Sequence, residues 1–126
     1  MIGLVDYGMG NRRSVEKALE HVGAAVLVSS DPEALAGADG LVVPGVGAFP
    51  RAMERLRGLG LDRFLIERAG AGVPLLGICL GMHVFFERST ELGGSEGMGV
   101  VPGEVRLLAN WVARVEGPPP VLGGDA

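Results

Sequence analysis

The chain has 126 residues, 48% of them hydrophobic, with 22 glycines, 8 prolines and a single cysteine, enough for one domain with a core but not for two. One cysteine excludes an intrachain disulfide and a four-cysteine zinc site, and two histidines, His21 and His83, leave little for any other metal centre. With 11 basic against 15 acidic residues the net charge is −4, and no basic stripe tracks phosphates.

No apolar run reaches the roughly 18 residues that span a bilayer, and Met1 to Asp6 lacks the basic start of a signal peptide. A cytoplasmic protein that binds neither nucleic acid nor membrane is therefore expected. Short apolar runs alternate with amphipathic ones, the pattern of an α/β domain with an open, mostly parallel sheet flanked by helices. The predicted strands are Ile2 to Asp6, Ala25 to Ser29, Leu41 to Pro44 and Pro74 to Cys79. Between the first two, Asn11 is placed as the cap of a helix whose apolar residues Val15, Ala18, Leu19 and Val22 share a face until Gly23 stops it. Ser30-Asp31-Pro32-Glu33 starts a short helix that ends before Gly37. Further helices are expected from about Phe49 to Leu56, from about Leu61 to Ala69, and directly after Cys79 over Met82 to Glu87. Beyond Arg88, glycines break the helical pattern. Met98 to Val101 and Glu104 to Leu108 read as a small antiparallel pair joined by Pro102-Gly103. Residues 1–108 form the domain, and 109–126 read as a Pro/Gly-rich, disordered tail.

Gly77-Ile78-Cys79-Leu80-Gly81 lies between an apolar strand and a helical run, the setting of a nucleophile elbow. Such a turn holds its central residue in a strained backbone conformation with the side chain exposed, and the flanking glycines let strand and helix approach. The following helix points amides and partial positive charge toward the sulfur, which suits a nucleophilic thiolate. A buried core cysteine is the plainer alternative. Pro44-Gly45-Val46-Gly47 closes the third strand beside the elbow, so an oxyanion hole can form from the amide of Leu80 and one from Val46 or Gly47; a simple tight turn is the alternative there. The glycine loops reject a dinucleotide, because the third glycine of Gly-x-Gly-x-x-Gly falls at Arg13 in one and at Pro50 in the other. Neither loop has a P-loop lysine, and no cofactor is expected.

Asp6-Tyr7-Gly8-Met9-Gly10-Asn11, Pro44-Gly45-Val46-Gly47-Ala48-Phe49 and Gly77-Ile78-Cys79-Leu80-Gly81-Met82 together resemble the class I glutamine amidotransferases, and within them the glutaminase subunits of imidazole glycerol phosphate synthase. The resemblance runs from Met1 to about Arg106. It implies a flavodoxin-like fold in which Cys79 attacks the side-chain amide of L-glutamine and ammonia passes to a (β/α)8-barrel cyclase subunit of a heterodimer in histidine biosynthesis. It also implies oxyanion donors at Leu80, Val46 and Gly47, substrate contacts at Gly45, His83 and Glu91, and a partner interface near Asn11. Two departures stand out. The residue four after the nucleophile is commonly a substrate-holding glutamine in that family but is His83 here, read as a substrate contact or as packing rather than as a base. The family's later His-x-Glu pair, the base and its orienter, has no counterpart, so the chain is read as C-terminally incomplete, by truncation or frameshift, and as inactive alone. A non-catalytic remnant that still binds the cyclase, or a different nucleophile-elbow thiol hydrolase, are the other readings.

Overall fold

The computed structural model describes residues 1–106. Four strands form the main sheet, β1 (Ile2–Val5), β2 (Val26–Ser29), β3 (Gly40–Val43) and β4 (Leu75–Gly77), all parallel and ordered β2-β1-β3-β4. The helices between them are α1 (Arg12–His21), α2 (Pro32–Leu35), α3 (Phe49–Gly58) and α4 (Leu61–Gly70), with a single turn, α5 (Leu80–His83), after β4. No helix among the described residues is long and apolar enough to cross a membrane.

The period of two along each strand sorts side chains between two layers. Leu4 and Val42 face α1, where they cluster with Val15 and the half-buried Leu19. Val5, Leu41 and Val43 face the other way, into a larger core built with Leu35, Phe49, Met53, Leu56, Leu61 and Leu65 of α2, α3 and α4. Chain direction explains the split: β1 runs outward to β2 through α1 while β3 runs the opposite way to β4 through α3 and α4, and right-handed crossovers in opposite directions land on opposite faces. The α1 face is the thinner one. A groove of about 210 Å³ remains beside Leu19, Val42 and Leu76, and Leu76 stays 55% exposed.

Local signals account for the helix ends. Asp31 accepts the Glu33 amide at 3.0 Å and Pro32 occupies the first turn of α2, as predicted. After α1, Gly23 takes φ 89° and the Gly23 and Ala24 amides return to the Glu20 and Leu19 carbonyls at 2.9 and 3.0 Å, a Schellman stop. Three expectations are corrected. Asn11 occupies the cap position but adopts a left-handed conformation (φ 66°, ψ 3°) and its side chain makes no cap bond; the glycine loop before it arrives from a direction that leaves only its carbonyl, bonded to Val15 N at 3.2 Å, to start the helix. Val22 lies past the end of α1 and is 77% exposed, so the buried stripe is Val15 with Leu19.

The third correction concerns the stretch after Cys79. The helix runs only from Leu80 to His83, because the next carbonyls are taken by a later segment: Val84, Phe85 and Phe86 accept the amides of Met98, Val101 and Gly99 at 2.9, 2.9 and 3.0 Å. Consequently Met98 to Val101 is no strand. The small sheet consists instead of β5 (Arg88–Ser89), β6 (Ser95–Glu96) and β7 (Glu104–Val105), with β5 central, antiparallel to β6 and parallel to β7. The tail assigned to 109–126 lies outside the described residues.

A Cβ added at Gly3 would lie 2.8 and 2.9 Å from side-chain atoms of Leu41 and Leu35, whereas one at Gly70, inside α4, would meet nothing within 4 Å. Gly3→Ala is expected to destabilise by about 1–3 kcal/mol through overpacking, and Gly70→Ala to stabilise by about 0.5–1 kcal/mol. Urea unfolding midpoints of the two variants check this pair of opposite signs.

Candidate active site

β4 delivers the chain to the upper edge of the sheet and α5 leaves it at once, so the reversal occurs within Ile78 to Gly81. The Gly81 amide donates to the Ile78 carbonyl at 3.0 Å, closing a four-residue turn with Cys79 at its first central position. Cys79 there has φ 54° and ψ −119°, the first central geometry of a type II′ turn and one that glycine normally supplies. A side chain in that region costs of order 1–3 kcal/mol. The two neighbouring glycines enforce the conformation. A Cβ on Gly77 would stand 2.5 Å from the Met82 Cα and 2.7 Å from the Phe85 ring, and one on Gly81 would overlap the Val43 carbonyl. Both glycines are therefore needed for the approach of α5 to β3 and β4, as their spacing predicts. The thiol of Cys79 is exposed.

Beside the elbow stand the loops that follow β1 and β3, at the point where strand order reverses and where ligands bind in open α/β sheets. Gly45, with φ 155°, lies against Tyr7 and Leu80, and Gly47, with φ 120°, lies against Met9. The Gly45 carbonyl accepts the Leu80 amide at 3.2 Å, and the Val46 amide donates to the Met9 carbonyl at 2.8 Å. Leu80, Gly45 and Val46 are thus brought together as the sequence places them, with the Leu80 and Val46 amides paired to carbonyls in this conformation. Val46 itself is half exposed at 50%.

The remaining sequence-assigned residues are spread more widely. His83 is half-buried on α5, tied to the elbow by its amide, which donates to the Cys79 carbonyl at 3.2 Å. Its imidazole makes no hydrogen bond among the described residues. Glu91 opens a short turn in the small sheet and is held by Ser89: the Glu91 amide donates to Ser89 Oγ at 3.1 Å, and that hydroxyl donates to Glu91 Oε1 at 3.3 Å. Ser89 is 1% exposed and was not singled out in the sequence, where nothing separates it from a surface serine. A cavity of about 400 Å³ in this sheet, between Arg88, Thr90, Gly93 and Glu96, includes no elbow residue. Asn11 is exposed at the start of α1, on the same upper edge as Cys79. His21 is exposed at the far end of that helix, as expected for a solvated position.

A family model described as glutamine amidotransferase class-I matches residues 3–117. The chain belongs to the class-I glutamine amidotransferases. The match extends past Arg106, where the motifs legible by eye stop. The chain is 56% identical over 108 residues to the imidazole glycerol phosphate synthase subunit HisH of Bacillus cereus, a match that covers 86% of this chain and 52% of that protein. The subunit of the same name from Bacillus thuringiensis is 52% identical over the same length and coverage. A crystal structure described as a glutamine amidotransferase superposes with a TM-score of 0.72 at 24% identity, covering 83% of this chain and 55% of that one; it supports the fold. The chain spans about half the length of the curated relatives it matches. As an amidotransferase domain it therefore carries the elbow and its neighbouring loop in the aligned half.

The strain at Cys79 has a measurable sign. Cys79→Gly is expected to be more stable than Cys79→Ala by about 1 kcal/mol, since glycine escapes the positive-φ strain of about 1–3 kcal/mol and pays back part of it in chain entropy. At an ordinary position alanine is the more stable of the two. Guanidinium unfolding of both variants decides between an enforced elbow and a relaxed turn.

Proposed function

We propose that this chain is the nucleophile-bearing part of the glutaminase subunit of imidazole glycerol phosphate synthase. The observation that carries the reading is an exposed thiol held at φ 54° and ψ −119° between two glycines that admit no Cβ, in a chain 56% identical over 108 residues to a protein of that name. Cys79 Sγ attacks the side-chain carbonyl carbon of L-glutamine, the C–N bond breaks to release ammonia, and water hydrolyses the resulting glutamyl thioester to glutamate. Negative charge on the carbonyl oxygen is met by the amide of Leu80 with that of Val46 or Gly47. One peptide unit, Gly45–Val46, carries both the carbonyl that occupies Leu80 and the amide bound to Met9. Turning that unit frees both donors, and the glycines at 45 and 47 permit the turn. Gly45, His83 and Glu91 hold the glutamine, and the edge around Asn11 faces a (β/α)8-barrel cyclase that consumes the ammonia in a cytoplasmic heterodimer.

Neither His21 nor His83 replaces the His-x-Glu pair of longer amidotransferases. His21 is remote, and His83 sits on the nucleophile's own turn, poorly aligned with the line of attack. Loss of a general base costs about 10²–10⁴ in rate, so residues 1–126 alone are expected to release glutamate from glutamine at the background rate. A rate above background that disappears in Cys79→Ala would overturn that expectation. Recognition of glutamine is tested separately by labelling. The diazo-ketone analogue of glutamine is expected to alkylate Cys79, with protection by L-glutamine, read by mass spectrometry. Modification by iodoacetamide with none by the analogue would assign the elbow to another thiol hydrolase.

A further inference from the structure

Tyr7 directly follows β1 and is 3% exposed, yet nothing in the glutaminase chemistry uses its hydroxyl. That hydroxyl donates to the Pro44 carbonyl at 2.6 Å. Its oxygen also occupies the space into which a Cβ on Gly45 would project. Burial pushes the phenol well above its ordinary range, which favours the protonated, donating form.

Three consecutive residues of the loop after β3 are therefore each held once. Pro44 is held by the Tyr7 hydroxyl, Gly45 by the Leu80 amide, and Val46 by the Met9 carbonyl. Two of these holds are backbone to backbone and call on no particular side chain. The Tyr7 hydroxyl is the one that depends on a side chain.

We propose that Tyr7 is a positioning residue for the oxyanion donors: its hydroxyl, through the Pro44 carbonyl, holds the loop so that the Gly45–Val46 peptide unit keeps the Leu80 and Val46 amides paired. The three bonds then open together, as one local event. Removing the hydroxyl leaves the Pro44 carbonyl buried without its partner and loosens the adjoining peptide, which raises the population in which both amides are free. Its catalytic meaning rests on the glutaminase reading, but the coupling itself does not.

Amide hydrogen exchange on the full chain, followed by NMR with no glutamine present, tests the coupling. In Tyr7→Phe the Val46 and Leu80 amides are expected to exchange about 3- to 10-fold faster, the size of one buried hydrogen bond, while the Leu41 amide, bonded to the Pro74 carbonyl at 3.0 Å, changes by less than half as much. A second measurement needs no variant. In the unmodified chain the Tyr7 hydroxyl proton should exchange with the same opening constant as the Val46 amide. Unchanged exchange at Val46 and Leu80, a rise matched at Leu41, or a hydroxyl proton that opens independently of Val46 would each overturn the proposal. None of these readouts involves glutamate release or labelling by the glutamine analogue, so failure of the coupling and failure of the glutaminase reading are told apart.

Discussion

The close approach of α5 to the third and fourth strands governs everything around the thiol. The Gly81 backbone sits directly against the Val43 carbonyl, and the Gly77 backbone against Met82 and Phe85, distances that no side chain can share. With both ends of the turn fixed in this way, the chain reverses over two central residues, Cys79 and Leu80, and the first takes a conformation that glycine would accept freely and cysteine accepts at a cost. The cost is borne because the residues that follow are sunk in the core. Leu80, Val84 and Phe85 are 4%, 0% and 7% exposed, so releasing the turn would mean withdrawing a packed segment rather than rotating one bond. Strain of 1–3 kcal/mol is small against that loss.

Parallel strands carry the consequence to the other loops. Because β1, β3 and β4 point the same way and lie side by side, the segments that follow them emerge at one edge and pack in a row. The first loop reaches the second through Tyr7 and Met9, and the second reaches the elbow through Gly45 and Leu80. Glycines at 10, 45 and 47 leave the room that Val46, Tyr7 with Leu80, and Met9 take up between these loops. The same closeness pairs the amides that a developing oxyanion would need. On the proposed glutaminase reading this is a resting arrangement, and rotation of the Gly45–Val46 peptide unit, rather than movement of a helix, would release the donors.

How much of this was legible in the sequence depends on whether the cause was local. The four main strands, the Asp31 cap, the Gly23 stop and the two glycines of the elbow are written in short-range patterns, and each is found where it was expected within a residue or two. Asn11 was misassigned as a side-chain cap because residue type reports capping ability but not the direction from which the chain arrives. The helix after Cys79 was drawn too long because its carbonyls are claimed by Met98, Gly99 and Val101, well over ten residues later in the chain, a competition that periodicity does not register. For the same reason the small sheet is paired differently from the expectation: β5 pairs directly with β7, in parallel, with β6 between them only in sequence, whereas a Pro-Gly pair between two apolar runs suggests a hairpin. Tyr7 stood inside a recognised motif, but its partner, the Pro44 carbonyl, is a backbone atom 37 residues away, and no side-chain pattern marks it.

The two faces of the main sheet bear on the elbow unequally. Elbow residues Leu80, Val84 and Phe85 anchor into the larger core shared with α2, α3 and α4, whereas Ile78, the residue immediately before the cysteine, packs only against the smaller cluster under α1. On that second face Leu76 is 55% exposed, so the strand leading into Cys79 is clamped from one side and loosely covered on the other. Burial of a leucine of that exposure contributes about 1 kcal/mol when something covers it, comparable with the strain stored one turn away. The packing that holds the cysteine's turn therefore comes from the larger core, through Leu80, Val84 and Phe85.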